Sequence, residues 1–183
     1  LLAAIEAGLA GGVDAVLLRE KQLDSGKLLA LAAELRAITR THAARLLIHT
    51  QADIARAVEA DGVHVASDAI RELPAMRRWL AGDTMSLSAS CHSAEQLAKA
   101  HTAGADFALL SPVFPTASHS GAPHLGVERF RQLADTTPLP VVALGGIDTA
   151  NRHELAAYPV AVIRAILDAA DPSAAATALL RER

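Results

Sequence analysis

The sequence predicts an α/β protein, a (β/α)8 (TIM) barrel that lacks or truncates its first strand. Three observations carry this. Short apolar runs of strand type alternate seven times with helical stretches, the pattern of a parallel sheet covered by helices. The order opens on a helix, so one strand ahead of it would bring the count to the eight that close a barrel. Polar groups follow the strand ends at Arg19, His49, Ser90, Ser111, Gly145 and Arg164, and a barrel carries such positions to one mouth. An open doubly wound sheet is the alternative architecture.

Each element has its own signal. Residues 1–10 place apolar side chains at helical spacing and stop at Gly11-Gly12, a helix C-terminus; residues 13–18 form an apolar strand run. A helix follows over 28–41, with Asp24 or Ser25 as N-cap, then a strand over 45–48. The rhythm repeats as helix 52–60, strand 62–65, helix 70–80 and strand 84–90. Ser93 and Gln96 have capping-box spacing at the head of a helix over 93–103, and 107–110 is the next strand. About sixteen residues without period come next, rich in Pro, Ser, Thr, His and Gly. Long aperiodic loops in a compact domain are usually functional or disordered; the strand before and the helix over 127–134 after favour function. Strand 140–144, helix 149–157, strand 160–163 and helix 172–180 finish the chain, with Pro172 in a first turn that needs no donor there.

Composition limits the function. The 183 residues carry no Ser/Gly-rich linker or charge block and read as one domain over 1–183. With 51% hydrophobic and 20% charged residues the chain can build a core. A net charge of -3 with scattered Lys and Arg implies neither a nucleic-acid face nor a basic membrane patch, and no apolar run approaches the roughly 18 residues of a membrane span. Only 3% of residues are aromatic, so platforms for base stacking are scarce. The single cysteine, Cys91, excludes an internal disulfide and fits a reducing compartment, the cytoplasm by default. A small anionic ligand held by a few local groups is compatible with all of this, as is a homo-oligomer.

Several groups suit an anion. Arg19 and Lys21 flank Glu20 just past a strand; a guanidinium that grips two oxygens beside an ammonium point charge suits a phosphate or diphosphate, although a solvated local ion pair is the commoner use of such a turn. Gly145-Gly146 follows the strand over 140–144, with Asp148 or Thr149 opening the next helix, and would offer backbone donors to phosphate at a helix N-terminus. A tight turn needing positive φ explains the same glycines; the neighbouring strand end at Arg164 favours a shared phosphate site. The eight histidines show no metal-ligand spacing. His42, His101 and His153 fall on helices as surface residues, whereas His49, His64, His92, His119 and His124 fall at strand ends or in the long loop. Cys91 beside His92 is no thiolate pair, because neighbouring strand residues point to opposite faces, and a buried, inert thiol is the better reading.

Six blocks then stand in order: Arg19-Glu20-Lys21, Asp61-Gly62-Val63-His64, Ser90-Cys91-His92-Ser93, Gly104-Ala105-Asp106, Ser111-Pro112-Val113-Phe114-Pro115-Thr116 and Ala143-Leu144-Gly145-Gly146-Ile147. With them the chain resembles, over nearly its whole length, the thiamin phosphate synthase and thiazole tautomerase family. That resemblance implies a (β/α)8 barrel. It also implies the synthase reaction, in which hydroxymethylpyrimidine diphosphate is joined to a thiazole phosphate with release of diphosphate and the help of magnesium. By position, Arg19, Lys21 and Ser90 look like the diphosphate-binding groups, Thr116 and Ser118 like two loop hydroxyls, and Gly146 like a backbone donor to the thiazole phosphate.

The chain also departs from the family pattern. Leu17 stands where the synthases have Gln, and His49-Thr50 where they have Asn-Asp with the Asp on magnesium; Asp68 lies near the second metal-binding Asp. His119 replaces the loop Lys, Arg164 the Ser that receives the thiazole phosphate, and Pro112 the tautomerase His. The connection through Ala156-Ala157-Tyr158-Pro159 is shorter than the family's. This pattern looks most like a divergent branch fused behind a Nudix hydrolase domain.

Two functions are therefore expected. The first is a synthase-like barrel that joins or binds the two heterocycles over a degenerate magnesium site; the second is a non-catalytic or regulatory phosphate-binding barrel attached to a Nudix hydrolase. A phosphate-binding isomerase with a His base is a distant third.

Overall fold

A computed structural model describes residues 1–82, 84–116 and 123–181. The elements run α1 (Leu2–Ala10), β1 (Ala15–Leu18), α2 (Ser25–Thr41), β2 (Arg45–His49), α3 (Ala52–Ala57) and β3 (Gly62–Val65). They continue with α4 (Leu73–Trp79), β4 (Ser86–Cys91), α5 (Ala94–Thr102), β5 (Phe107–Leu110), α6 (Val127–Thr136), β6 (Val141–Leu144), β7 (Val160–Ala161), α7 (Arg164–Leu167) and α8 (Pro172–Arg181). All seven strands form one parallel sheet in sequence order, β1 to β7. The sheet curls far enough for α1, at one end, to pack against α7 and α8 at the other, which supports the barrel over the doubly wound alternative. Glycine permits that contact: a Cβ on Gly11 would stand 2.8 Å from Ala176 Cβ and closer still to the Ser173 carbonyl. Thr177 Oγ1 donates to the Gly11 carbonyl at 3.2 Å.

Strand alternation separates two faces. Leu18, Ile48, Val63, Val65, Leu87, Ala89, Cys91, Leu110 and Ala143 join helix residues such as Leu35, Leu97 and Phe130 in one buried cluster between sheet and helices. The opposite face forms the barrel interior. In register across it stand His49 beside His64 and His64 beside Ser88, so this part of the interior is polar where the outer layer is aliphatic. Burying a Leu or Phe contributes about 1.5–3 kcal/mol each, and the outer layer therefore supplies most of the stability.

The acids of two of the six sequence blocks serve the other end of the barrel. Asp61, just ahead of β3, accepts from Arg36 Nη1 at 2.6 Å and from the Leu46 amide at 2.7 Å. Asp106, just ahead of β5, repeats the device with Arg77 Nη2 at 2.7 Å and the Leu87 amide at 2.6 Å. In each case one carboxylate ties a helix to the adjacent strand. These acids are framework, not site.

Predicted and observed elements agree for every strand, with differences at the ends. Asp24 is the cap of α2, accepting from the Lys27 amide at 2.9 Å, and Ser93 caps α5. The helix expected over 70–80 divides into a 3-10 turn, Ser67–Glu72, and α4. The helix expected over 149–157 does not form; Asp148 Oδ1 accepts from the amides of Ala150 and Asn151, and a short 3-10 turn, Arg152–Leu155, takes its place. Arg152, 1% exposed, stiffens this connection by donating to the carbonyls of Leu155 and Tyr158. The last strand is shorter than predicted, two residues, and α7 begins at Arg164.

Candidate active site at the barrel mouth

Two clusters lie at the C-terminal ends of the strands. The first surrounds the ends of β1 to β4. Arg19 and Lys21 are exposed just past β1, and both act electrostatically on His49 at the end of β2. They form no ion pair with Glu20 among the described residues, so their charge is available to a ligand. Burial first, then Arg19 and Lys21, push the His49 imidazole below its ordinary pKa, while Asp68 opposes them. His49 Nδ1 is buried without a hydrogen-bond partner.

His64, 2% exposed in the middle of this face, lies 6.0 Å from His49 ring to ring. Its Nδ1 is 2.9 Å from Ser88 Oγ and its Nε2 is 2.9 Å from Ser90 Oγ. Burial, then the neighbouring His49 and Arg19, push its pKa down to about 3, so the ring is neutral at pH 7. Sequence reasoning missed this centre, placing His64 only among histidines at strand ends.

The second cluster lies around β5 to β7. Pro115, Thr116, Gly145, Gly146 and Arg164 line a cavity of about 430 Å³. Arg164 Nη2 donates to Thr116 Oγ1 at 3.4 Å. Gly145 and Gly146 have φ of +103° and +68°, and the loop after β5 lies directly on them. A Cβ on Gly145 would stand 2.7 Å from Pro112, and one on Gly146 would stand 2.8 Å from Phe114 Cβ and closer still to the Pro115 carbonyl. The loop is stitched there by Val113 N–H to Leu144 O and Phe114 N–H to Gly145 O, both 3.0 Å. Contrary to expectation these glycines do not open a helix, so no helix N-terminus faces the cavity from this side; glycine is required here because two loops meet. Two carboxylates share the cavity, Asp168 and Asp148, the latter already occupied by two backbone amides.

Of the predicted site residues, Arg19, Lys21 and Ser90 lie in the first cluster and Thr116, Gly145, Gly146 and Arg164 in the second. Ser118 and His119 lie outside the described residues. Cys91 is fully buried, with its thiol pushed up to about 12 by burial, which agrees with an inert role. His92 is pinned instead, its Nδ1–H donating to the Ser111 carbonyl at 2.7 Å, and it joins the ends of β4 and β5.

Magnesium does not suit the first cluster. The ion takes hard oxygen ligands in octahedral geometry, usually including one or two carboxylates. Here Asp68 is exposed on its 3-10 turn, Thr50 offers a hydroxyl from a strained backbone at φ +66°, and the remaining groups are His49 and two cations. No group of three or more His, Cys, Asp or Glu could hold a metal among the described residues.

Among the described residues, no helix is long and apolar enough to cross a membrane. Residues 1–166 match the family described as thiamine monophosphate synthase. The thiamine-phosphate synthase of Roseiflexus sp. is 37% identical over 180 residues, covering 96% of this chain and 75% of that one. That of Synechocystis sp. is 35% identical over 186 residues; the match takes in all of this chain but only 53% of the relative, so the chain spans about half its length. In three dimensions the chain is similar to a thiamine phosphate pyrophosphorylase from Pyrococcus furiosus, with a TM-score of 0.88, 27% identity, and coverage of 99% of this chain and 88% of that one. This chain belongs to the thiamine monophosphate synthase family.

Proposed function

We propose that the chain, as one barrel domain, holds two phosphorylated heterocycles of thiamin biosynthesis at this mouth. A pyrimidine diphosphate is bound by Arg19, Lys21 and Ser90, and a thiazole phosphate by Thr116, Gly146 and Arg164, with Ser118 and His119, outside the described residues, as further binding candidates. The observation that carries this reading is the Arg164–Thr116 pair lining a cavity together with two glycines. A guanidinium and a hydroxyl that meet at one cavity match a phosphate monoester, which the guanidinium can grip through two oxygens.

In the synthase reaction the pyrimidine methylene carbon loses its bond to oxygen, the electron pair leaves with diphosphate, and the thiazole nitrogen lone pair forms the new C–N bond. Charge builds on the leaving group. Arg19, Lys21 and the Ser90 hydroxyl stabilise it where it develops. Because the donor set at Thr50 and Asp68 does not suit magnesium, these protein groups carry that stabilisation alone, and turnover is slow.

A second reading is favoured by Thr50 in place of a carboxylate: the barrel binds the same phosphates without turnover and serves an attached Nudix hydrolase, as the resemblance to that fused branch suggests. The neutral, buried Cys91 suits a reducing compartment such as the cytoplasm under either reading. Calorimetric titration with thiazole phosphate, followed by assay of diphosphate release with and without magnesium, tests both. Binding with slow, magnesium-indifferent release supports the first, and binding with no release the second. Failure of thiazole phosphate to bind, or an Arg164→Ala variant that binds it as tightly as the unaltered chain, refutes the placement.

A further inference from the structure

Behind Ser90 lies a polar chain that is sealed from solvent at its inner end: Ser88 is 0% and His64 2% exposed, and only Ser90 opens to the mouth. A neutral imidazole has one donor and one acceptor nitrogen, and which is which follows from the hydrogen bond at its inner side. Ser88 Oγ has two places for its proton: His64 Nδ1, if the ring accepts there, or the Val63 carbonyl, if Nδ1–H donates to Oγ. His64 Nδ1 lies at 2.9 Å, and the Val63 carbonyl at 3.5 Å. The latter is at the limit of a useful hydrogen bond, so the Ser88 proton goes to Nδ1. The ring hydrogen must then sit on Nε2, which donates to Ser90 Oγ at 2.9 Å.

Ser90 thus receives a hydrogen bond from within the barrel, and its own proton is left to point outward. We infer that His64 is a positioning residue that, with Ser88, fixes Ser90 as an outward donor and so tunes this side of the mouth for an anionic oxygen rather than for an N–H group. The opposite polarity, with Ser90 donating inward to Nε2, would present only lone pairs to a diphosphate beside Arg19 and Lys21. Burial keeps the ring neutral, and the chain of donors therefore has a fixed direction. The inference rests on the placement of diphosphate at Ser90 proposed for this protein, and it explains how a residue that touches no ligand sets the strength of that contact.

Nitrogen-15 NMR of the histidine rings in the full chain reads the tautomer directly: the His64 signal should show protonated Nε2 and bare Nδ1 at pH 7, before and after inorganic diphosphate is added. Calorimetry with inorganic diphosphate supplies the second measurement. Ser90→Ala should weaken binding about tenfold or more, as expected for a hydrogen bond to a charged group. Ser88→Ala, which removes the group that orients the ring, should weaken it about three- to tenfold without touching the ligand. A protonated Nδ1, or Ser88→Ala binding diphosphate as the unaltered chain does while Ser90→Ala does not, overturns the inference and leaves the proposed function standing. An unaltered chain that binds no diphosphate overturns both. The tautomer needs no variant, so a Ser88→Ala chain that fails to fold leaves the decisive reading intact.

Discussion

Replacing Gly146 by alanine measures how firmly the loop after β5 is clamped on the β6 turn. Two costs arise. The residue sits at φ +68°, where an L side chain costs roughly 1–2 kcal/mol. Its new Cβ would also stand 2.8 Å from Phe114 Cβ and closer to the Pro115 carbonyl. Backbone cannot swing away as a side-chain tip can, and forced shifts of this kind cost about 1–3 kcal/mol more. Gly104 supplies the control, because it has φ +83° and nothing within 4 Å of its hypothetical Cβ. Gly104→Ala should therefore lose only the conformational part, and Gly146→Ala the sum, about 2–5 kcal/mol in all. Equilibrium urea unfolding of both variants gives the two values, and titration with thiazole phosphate shows whether the cavity survives. Equal losses within about 0.5 kcal/mol, the usual scatter of independent sites, would refute the clamp and with it the account of why both positions are glycine.

Five further outcomes are expected. Arg164→Ala should weaken binding of a phosphate monoester by roughly ten- to a hundredfold, the cost of a charge-assisted hydrogen bond, and Asp168→Asn should strengthen it a few-fold by removing a like charge from the cavity; calorimetry at low salt measures both. Thr50→Asp should raise affinity for magnesium by restoring a hard carboxylate beside Asp68, read by magnesium titration in the presence of diphosphate. Cys91 should resist alkylation in the native chain at pH 8 and react only on unfolding, since its thiol is buried and pushed up to about 12. His64 binds a proton at about 3 when folded and 6.5 when unfolded, so the unfolded chain holds more protons between those values and stability must fall as pH drops through that window. The loss reaches up to about 1.4 kcal/mol per pH unit. Urea unfolding at pH 7, 5.5 and 4.5 should show that slope shrinking in His64→Gln, and an unchanged slope would contradict the burial argument.

The strands were legible because aliphatic runs and turn residues are local signals, and so were the caps at Asp24 and Ser93. Arg19, Lys21, Ser90 and Arg164 were legible as strand-end groups for the same reason, since a barrel delivers every such position to one mouth whatever its details. What escaped was set by partners distant in sequence. The helix expected over 149–157 fails because Asp148, Asn151 and Arg152 satisfy its backbone in a tighter turn. Gly145 and Gly146 looked like phosphate donors at a helix start, and their requirement for glycine comes instead from Pro112 to Pro115, more than 25 residues upstream.

His64 is the instructive omission, because a signal for it was present. In a parallel sheet buried on both faces strands read as continuous apolar runs, yet β4 reads Ser86-Leu87-Ser88-Ala89-Ser90-Cys91, polar at every second residue. Such alternation means that one face, the barrel interior, is lined with hydroxyls, and buried hydroxyls need partners. The adjoining β3 offers one polar side chain, His64, with aliphatic neighbours on both sides. Parallel register then places His64 opposite Ser88. Period, burial and pairing thus single out the ring before any distance is measured. Only the direction of its hydrogen bonds, on which the proposed recognition of an anion at Ser90 rests, required the 2.9 and 3.5 Å separations around Ser88.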